Sequence, residues 1–305
     1  MSIIEKAAAR LANQPKDIPP RRADPVQRVA PAARQVHSPA AMPVTDHVPP
    51  PKAAPEARPH SVAHSAVRHP IDLDRLRKAG MVMPNGERTA AAEEFRFIKR
   101  PLLGKALRKG EGALRHGNLI MVTSSLPGEG KTFCAINLAL SIAMEMDHTV
   151  LLVDADVARP SVLDALGLEA DRGLMDLLRD DTMKPADVMI KTNVDTLSIL
   201  PAGNSQQNAT ELLASQAMKT LLDEIATRYA DRIVIFDSPP LLLTSEARVL
   251  AEQMGQIVMV VEAEKTTQNA VRESLQKIEH CQNVNLIYNK GRTFAEPEAY
   301  AYYRK

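Results

Sequence analysis

From Leu119 onward, short runs that are apolar throughout alternate with longer stretches of helical period. A strand that is apolar on both faces must be covered on both. Strands separated by helices pair through crossovers, so this alternation predicts a mainly parallel sheet with helices above and below it. The strands fall at 119–124 (LIMVTS), 149–153 (TVLLV), 196–200 (TLSIL), 232–236 (RIVIF), 256–261 (QIVMVV) and 284–288 (VNLIY), with helices near 131–145, 161–179, 210–229, 245–253 and 267–281. No internal repeat is visible.

The start of the chain has a different character. All ten aromatic residues lie at or after Phe95, and 13 of the 22 prolines lie at or before Pro70, so the first 70 residues lack the means to build a core. Residues 1–70 are therefore expected to be a disordered Pro/Ala-rich leader, 71–290 the folded domain, and 291–305 a flexible tail. Ten basic and five acidic residues give the leader a net charge of +5. A tether of this length spans on the order of 45 Å. Its dispersed charge suits a solvated linker better than a membrane-binding patch. Residues 3–12 have the spacing of a short amphipathic helix, but one so short is marginal in water, and a frayed terminus is favoured. A helix over 87–108 opens the folded domain, with Thr89 as its cap and a break at the residue before Pro101.

Composition excludes several classes of function. Lys+Arg number 38 against 37 Asp+Glu, which gives no bulk charge to hold nucleic acid. Two cysteines, Cys134 and Cys281, are too few for a disulfide framework or a cysteine zinc site and point to a reducing compartment. No apolar stretch approaches the roughly 20 residues of a membrane span. The charged start, Met1 to Lys6, is not that of a secretion signal.

The chemistry is carried by three segments. Ser125-Leu126-Pro127-Gly128-Glu129-Gly130-Lys131-Thr132 stands between the first strand and a helix, which is the setting of a P-loop. There, backbone N–H groups and the helix N-terminus face a triphosphate, Lys131 reaches the β and γ oxygens, and the Thr132 hydroxyl ligates Mg²⁺. Ser125 stands where the usual pattern has glycine. The candidate nucleotide-binding run is Pro127, Gly128, Glu129, Gly130, Lys131, Thr132 and Phe133. Second comes Asp154-Ala155-Asp156, followed by Arg159: carboxylates two apart on an extended chain point the same way, and they repel unless a cation sits beside them. Third is Ile233-Val234-Ile235-Phe236-Asp237, a Walker B arrangement that brings a carboxylate to the metal or its water. Pro239-Pro240 then ends the strand. In an open parallel sheet all three segments lie at the carboxyl ends of the strands. Asn208-Ala209-Thr210 reads as a helix start.

With these residues in place, the chain resembles the bacterial tyrosine kinases, P-loop proteins of the deviant Walker group. The resemblance covers about 71–305 and includes PGEGKT, DADxxRP, FDSPP, Leu200-Pro201-Ala202-Gly203 with Asn208 to Leu213, and Glu93 to Lys99. It is most similar to the autokinases of exosortase-linked exopolysaccharide loci, which share EEFRFIKRPLL and a Pro-rich leader. The resemblance implies a P-loop NTPase three-layer sandwich with ATP and Mg²⁺. Lys131, Asp154 and Asp156 would be catalytic, and Thr132, Asp156 and Asp237 would hold the metal. The division of work between Asp154 and Asp156 stays open. Asn289 would read the adenine. Tyr300, Tyr302 and Tyr303 would be autophosphorylated in trans. Glu93, Arg96 and Lys99 would match a subunit-contact motif, with Lys99 in place of the usual arginine, which removes bidentate pairing there. A homo-oligomer such as a ring, a separate inner-membrane chain-length-determinant partner that activates the kinase, and peripheral association of a cytoplasmic chain with that membrane complete the implication.

Two other readings stand beside this one. A partition or septum-positioning switch ATPase carries an extra lysine near the start of its loop, and Ser124 to Pro127 supply none. An ATP-binding scaffold of a polysaccharide assembly complex would use the loop without needing the tyrosines.

Overall fold

The computed structural model describes residues 68–85, 89–204, 208–228 and 231–291. The 3–12 stretch read as a frayed terminus, the leader as far as residue 67, and Tyr300, Tyr302 and Tyr303 lie outside them. The strands are β1 (Arg68–His69), β2 (Leu119–Ser124), β3 (Thr149–Asp154), β4 (Ile190–Thr192), β5 (Leu197–Leu200), β6 (Arg232–Asp237), β7 (Gln256–Glu262) and β8 (Val284–Asn289). The helices are α1 (Leu73–Lys78), α2 (Ala90–Ala106), α3 (Lys131–Ala143), α4 (Val162–Leu166), α5 (Leu174–Leu177), α6 (Pro185–Val188), α7 (Ala209–Leu213), α8 (Gln216–Thr227), α9 (Ser245–Ala251) and α10 (Gln268–Lys277).

The eight strands form one sheet in the order β1-β4-β5-β3-β6-β2-β7-β8. Every neighbouring pair is parallel except β4 with β5. Alternate residues of each central strand serve opposite faces. Ile120, Val122, Leu152, Ile235 and Val258 pack with Phe95 and Leu102 of α2 and Ile136 and Leu140 of α3. Leu119, Met121, Leu151, Phe236 and Met259 pack with Leu174 of α5, Met218 and Leu222 of α8, and Leu250 of α9. The result is the three-layer α/β sandwich of a P-loop NTPase, with a mainly parallel sheet.

The structure changes several details. Helix α2 runs through Pro101 instead of breaking before it. Pro101 removes one backbone donor, but Phe95, Lys99 and Leu102 are buried on either side of it, and that packing holds the helix continuous. The stretch 161–179 divides into α4 and α5 because Gly167, at φ 70°, ends α4 in a left-handed turn, and Leu174 N and Met175 N open α5 by donating to the carbonyls of Pro201 and Ala202 at 2.7 and 2.9 Å. The stretch 210–229 divides into α7 and α8 at Ser215, whose hydroxyl accepts from Met218 N at 3.2 Å and caps the second helix. Strands β1 and β4, two and three residues long, are too short to leave a period in the sequence. The sheet begins at Arg68, three residues before the expected start at 71.

Candidate active site

The phosphate loop lies between the end of β2 and the first turn of α3. Gly128 and Gly130 have φ of 83° and 95°, in the left-handed region that side-chain-bearing residues avoid. These two turns bend the backbone around a concavity that α3 closes. The first amide of α3 to bond back is Cys134 N, to Gly130 O at 2.9 Å, so the N–H groups of Lys131, Thr132 and Phe133 have no intrahelical acceptor. Together with the helix dipole they make an anion site. The Phe133 side chain packs on the α2 side of the core, so only its backbone belongs to the site. Glu129 is buried and braces the loop: one carboxylate oxygen accepts from Leu126 N at 2.8 Å and the other from the Thr266 hydroxyl.

Three carboxylates meet this loop. Asp154 ends β3 and Asp237 ends β6, and the two are directly paired in the sheet register. Lys131 Nζ lies 2.7 Å from Asp156 Oδ2 and 3.8 Å from Asp237 Oδ1. Thr132 Oγ1 donates to Asp237 Oδ2 at 2.6 Å and lies 3.1 Å from Ser161 Oγ. The sequence reading missed Ser161, since a lone serine after proline carries no signal of its own. Asp154 Oδ2 accepts from Ser161 N and Val162 N, both at 3.0 Å, and so caps α4. Oδ1 of Asp154 and Oδ1 of Asp237 are buried and have no hydrogen-bond donor.

The electrostatics follow from burial. Burial pushes Asp154 from an ordinary 3.8 up to about 6, with the Asp156 charge adding to the rise, while the Ser161 and Val162 amides and Lys131 oppose it. Burial raises Asp237 further, to about 7, against the pull of Lys131 and Thr132. For Lys131, burial works against the ammonium, but Asp237, Asp156 and Asp154 together outweigh it and hold the group above its usual range. Cys134, nearby on α3, is raised to about 12 by burial and by Asp237, which leaves it a neutral thiol with no nucleophilic role. The pocket thus gathers three carboxylates around one lysine, with Oδ1 of Asp154 and Oδ1 of Asp237 accepting no hydrogen bond.

The remaining candidates divide. Asn289, at the end of β8, is beside the loop: its Nδ2 donates to Glu129 O at 2.8 Å. Glu93, Arg96 and Lys99 do not share one exposed face. Arg96 pairs with Glu93 at 2.6 Å on the half-exposed side of α2. Lys99 is buried, donates to Ser141 O at 2.6 Å and pairs with Glu145, so it serves the C-terminal end of α3. Helical spacing places residues three apart near one another, but i+6 falls far enough around the axis to turn Lys99 inward.

Comparison with known proteins gives a consistent picture. The AAA domain family matches residues 117–290. The tyrosine-protein kinase YwqD of Bacillus subtilis is 34% identical over 187 residues, which is 60% of this chain and 76% of the relative. The putative tyrosine-protein kinase EpsB of Ralstonia nicotianae is 33% identical over 61% of this chain, and the match spans 24% of that longer relative. The solved VpsO kinase domain is 30% identical with a TM-score of 0.53, covering 65% of this chain and 99% of that one.

Proposed function

Because the chain belongs to the AAA domain family and, within it, to the bacterial tyrosine-protein kinases, we propose that it is an ATP-dependent autokinase that phosphorylates C-terminal tyrosines of a neighbouring copy. The observation that carries this reading is the meeting of Lys131, Thr132, Asp154, Asp156 and Asp237 at the mouth of an anion-binding loop. The amides of 131–133 and the Lys131 ammonium suit the phosphate chain of ATP. The Oδ1 of Asp237, which no hydrogen-bond donor reaches, suits a divalent cation. Mg²⁺ is compatible with so sparse a protein ligand set, since it keeps water and phosphate oxygens as most of its ligands. Thr132, Asp156 and Asp237 would hold it directly or through water, and when bound it would neutralise charge on the transferring phosphoryl group.

Asp154 is the better placed of the two nearby carboxylates to take a proton. One of its oxygens is fixed by two amides, the other is free, and burial lifts its pKa toward neutrality. Asp156 is engaged with Lys131. In this state Lys131 is held by carboxylates, and entry of the triphosphate would draw it across to the β and γ oxygens. Asn289 gives one amide N–H to the loop, which leaves its acceptor Oδ1 for the amino edge of adenine.

Tyr300, Tyr302 and Tyr303 remain the proposed acceptors. The 14 residues after Gly291 can extend by at most about 50 Å, enough to reach an adjoining subunit. A role in exopolysaccharide production, an oligomer contacted through Glu93 and Arg96, and a separate membrane protein as activator complete the proposal; they rest on the sequence resemblance. No helix among the described residues is long and apolar enough to cross a membrane.

Incubation of the purified chain with Mg-ATP should give phosphotyrosine on the tail peptide. Lys131→Met should lose it as an enzyme yet accept label from the intact protein if transfer is in trans. ATP hydrolysis with no label, even with the membrane partner supplied, would replace the kinase by a switch ATPase.

A further inference from the structure

Two consecutive carbonyls of the phosphate loop are held from outside by two consecutive residues at the end of another strand. Asn289 Nδ2 donates to Glu129 O at 2.8 Å, and Lys290 Nζ donates to Gly128 O at 2.6 Å. Lys290 also pairs with Glu262 Oε2 at 3.3 Å, and the same carboxylate oxygen pairs with Lys265 at 3.2 Å. Glu262 closes β7, directly opposite Asn289 in the register. Lys290 has φ of 58°, unusual for a residue with a side chain. There the chain turns out of β8 while the ammonium stays over the loop.

A phosphate loop binds anions by aiming successive N–H groups inward, which requires the carbonyls of the same stretch to point outward. At Gly128 the backbone has φ of 83°, and without a side chain glycine has wide backbone freedom, so a bond to its oxygen is what fixes the peptide's orientation. The tie here is charged and is anchored in turn to the end of β7.

We propose that Lys290 is a positioning residue for the phosphate loop: by holding the Gly128 carbonyl outward it keeps the loop's amides aimed at the phosphates of a bound nucleoside triphosphate or diphosphate. This rests on the loop being a nucleotide site and not on the identity of the phosphoryl acceptor. Lys290 then contributes to affinity for ATP and ADP alike and leaves the chemical step unchanged.

The test is calorimetric titration of the full chain with MgADP and MgATP, comparing the parent with Lys290→Met and Lys290→Arg. Lys290→Met should weaken both nucleotides about five- to tenfold, the loss of one half-exposed charged hydrogen bond. Lys290→Arg, which keeps a charged donor, should restore most of the affinity. Without nucleotide, Lys290→Met should speed hydrogen exchange at the amides of 128–132 while the melting temperature stays the same. At saturating ATP the turnover should match the parent, so KM changes and kcat does not. Unchanged affinity in Lys290→Met, an equal loss in Lys290→Arg, or a loss matched by a lower melting temperature without nucleotide overturns the inference. If the binding series behaves as expected and no phosphotyrosine forms, Lys290 keeps this role and the kinase reading fails.

Discussion

Replacing Asp237 by asparagine should stabilise the ligand-free protein at alkaline pH while destroying its use of Mg²⁺. Asp237 is completely buried, and its pKa rises from 3.8 to about 7 because burial outweighs its bonds to Lys131 and Thr132. Holding it ionised in the fold therefore costs about 4 kcal/mol. Between about pH 4 and 7 the folded state keeps a proton that the unfolded chain has released, so stability falls as pH rises through that window. Asparagine has the same shape, can still accept from Thr132, and leaves Lys131 its partner Asp156 at 2.7 Å. It removes only the titration. The advantage of Asp237→Asn should be near zero at pH 4, grow by about 2–3 kcal/mol between pH 5 and 8, and reach about 4 kcal/mol at pH 8. For a domain of this size that growth corresponds to roughly 5–10 °C in melting temperature. Thermal unfolding in EDTA at pH 5, 6.5 and 8 measures it, and Mg-ATP should reverse the order by stabilising the parent alone. Parallel pH profiles for the two proteins, or a less stable variant at pH 8 without metal, would refute the claim that burial makes the Asp237 charge costly to the fold.

Three further outcomes follow from the same geometry. If Asp154 is the proton acceptor, kcat/KM for tyrosine transfer should rise between pH 5 and 7 with an apparent pKa near 6, as burial implies; Asp154→Asn should lose most of the rate, and a rising limb that survives in the variant assigns the proton elsewhere. Gly130→Ala should weaken nucleotide binding at least about tenfold, because φ of 95° is unsuited to alanine and its Cβ would collide with Asn289 Nδ2; fluorescent-nucleotide titration checks this, and affinity within twofold of the parent would show that the loop relaxes freely. Lys99→Met should cost about 1–3 kcal/mol in urea unfolding by freeing the Ser141 carbonyl and Glu145, whereas Arg96→Ala should leave monomer stability within about 0.5 kcal/mol. Equal effects at the two positions would contradict the inward placement of Lys99.

Local signals in the sequence were enough for the central strands and the phosphate loop. An apolar run such as 232–236 needs no partner to be recognised, and the glycine spacing of 128 and 130 declares a turn before Lys131. Asp154 and Asp237 were visible as carboxylates at strand ends for the same reason. That they are neighbours, 83 positions apart in the chain, was decided by the pairing of β3 with β6. Burial in that pairing, and not residue type, lifts their pKa values. Lys99 matched a subunit-contact motif in the sequence, and only the packing of α2 against α3 turned it inward. Thr266 gave no sign at all, and nothing in the sequence tied Lys290 to the Gly128 carbonyl, because each acts on a loop more than 130 residues away through one hydrogen bond. Periodicity and turn chemistry are properties of adjacent residues and can be read along the chain. Register, burial and the meeting of distant donors and acceptors exist only once the sheet has closed, and in this protein they bring Lys131, Thr132, Asp154, Asp156 and Asp237 together beside the phosphate loop.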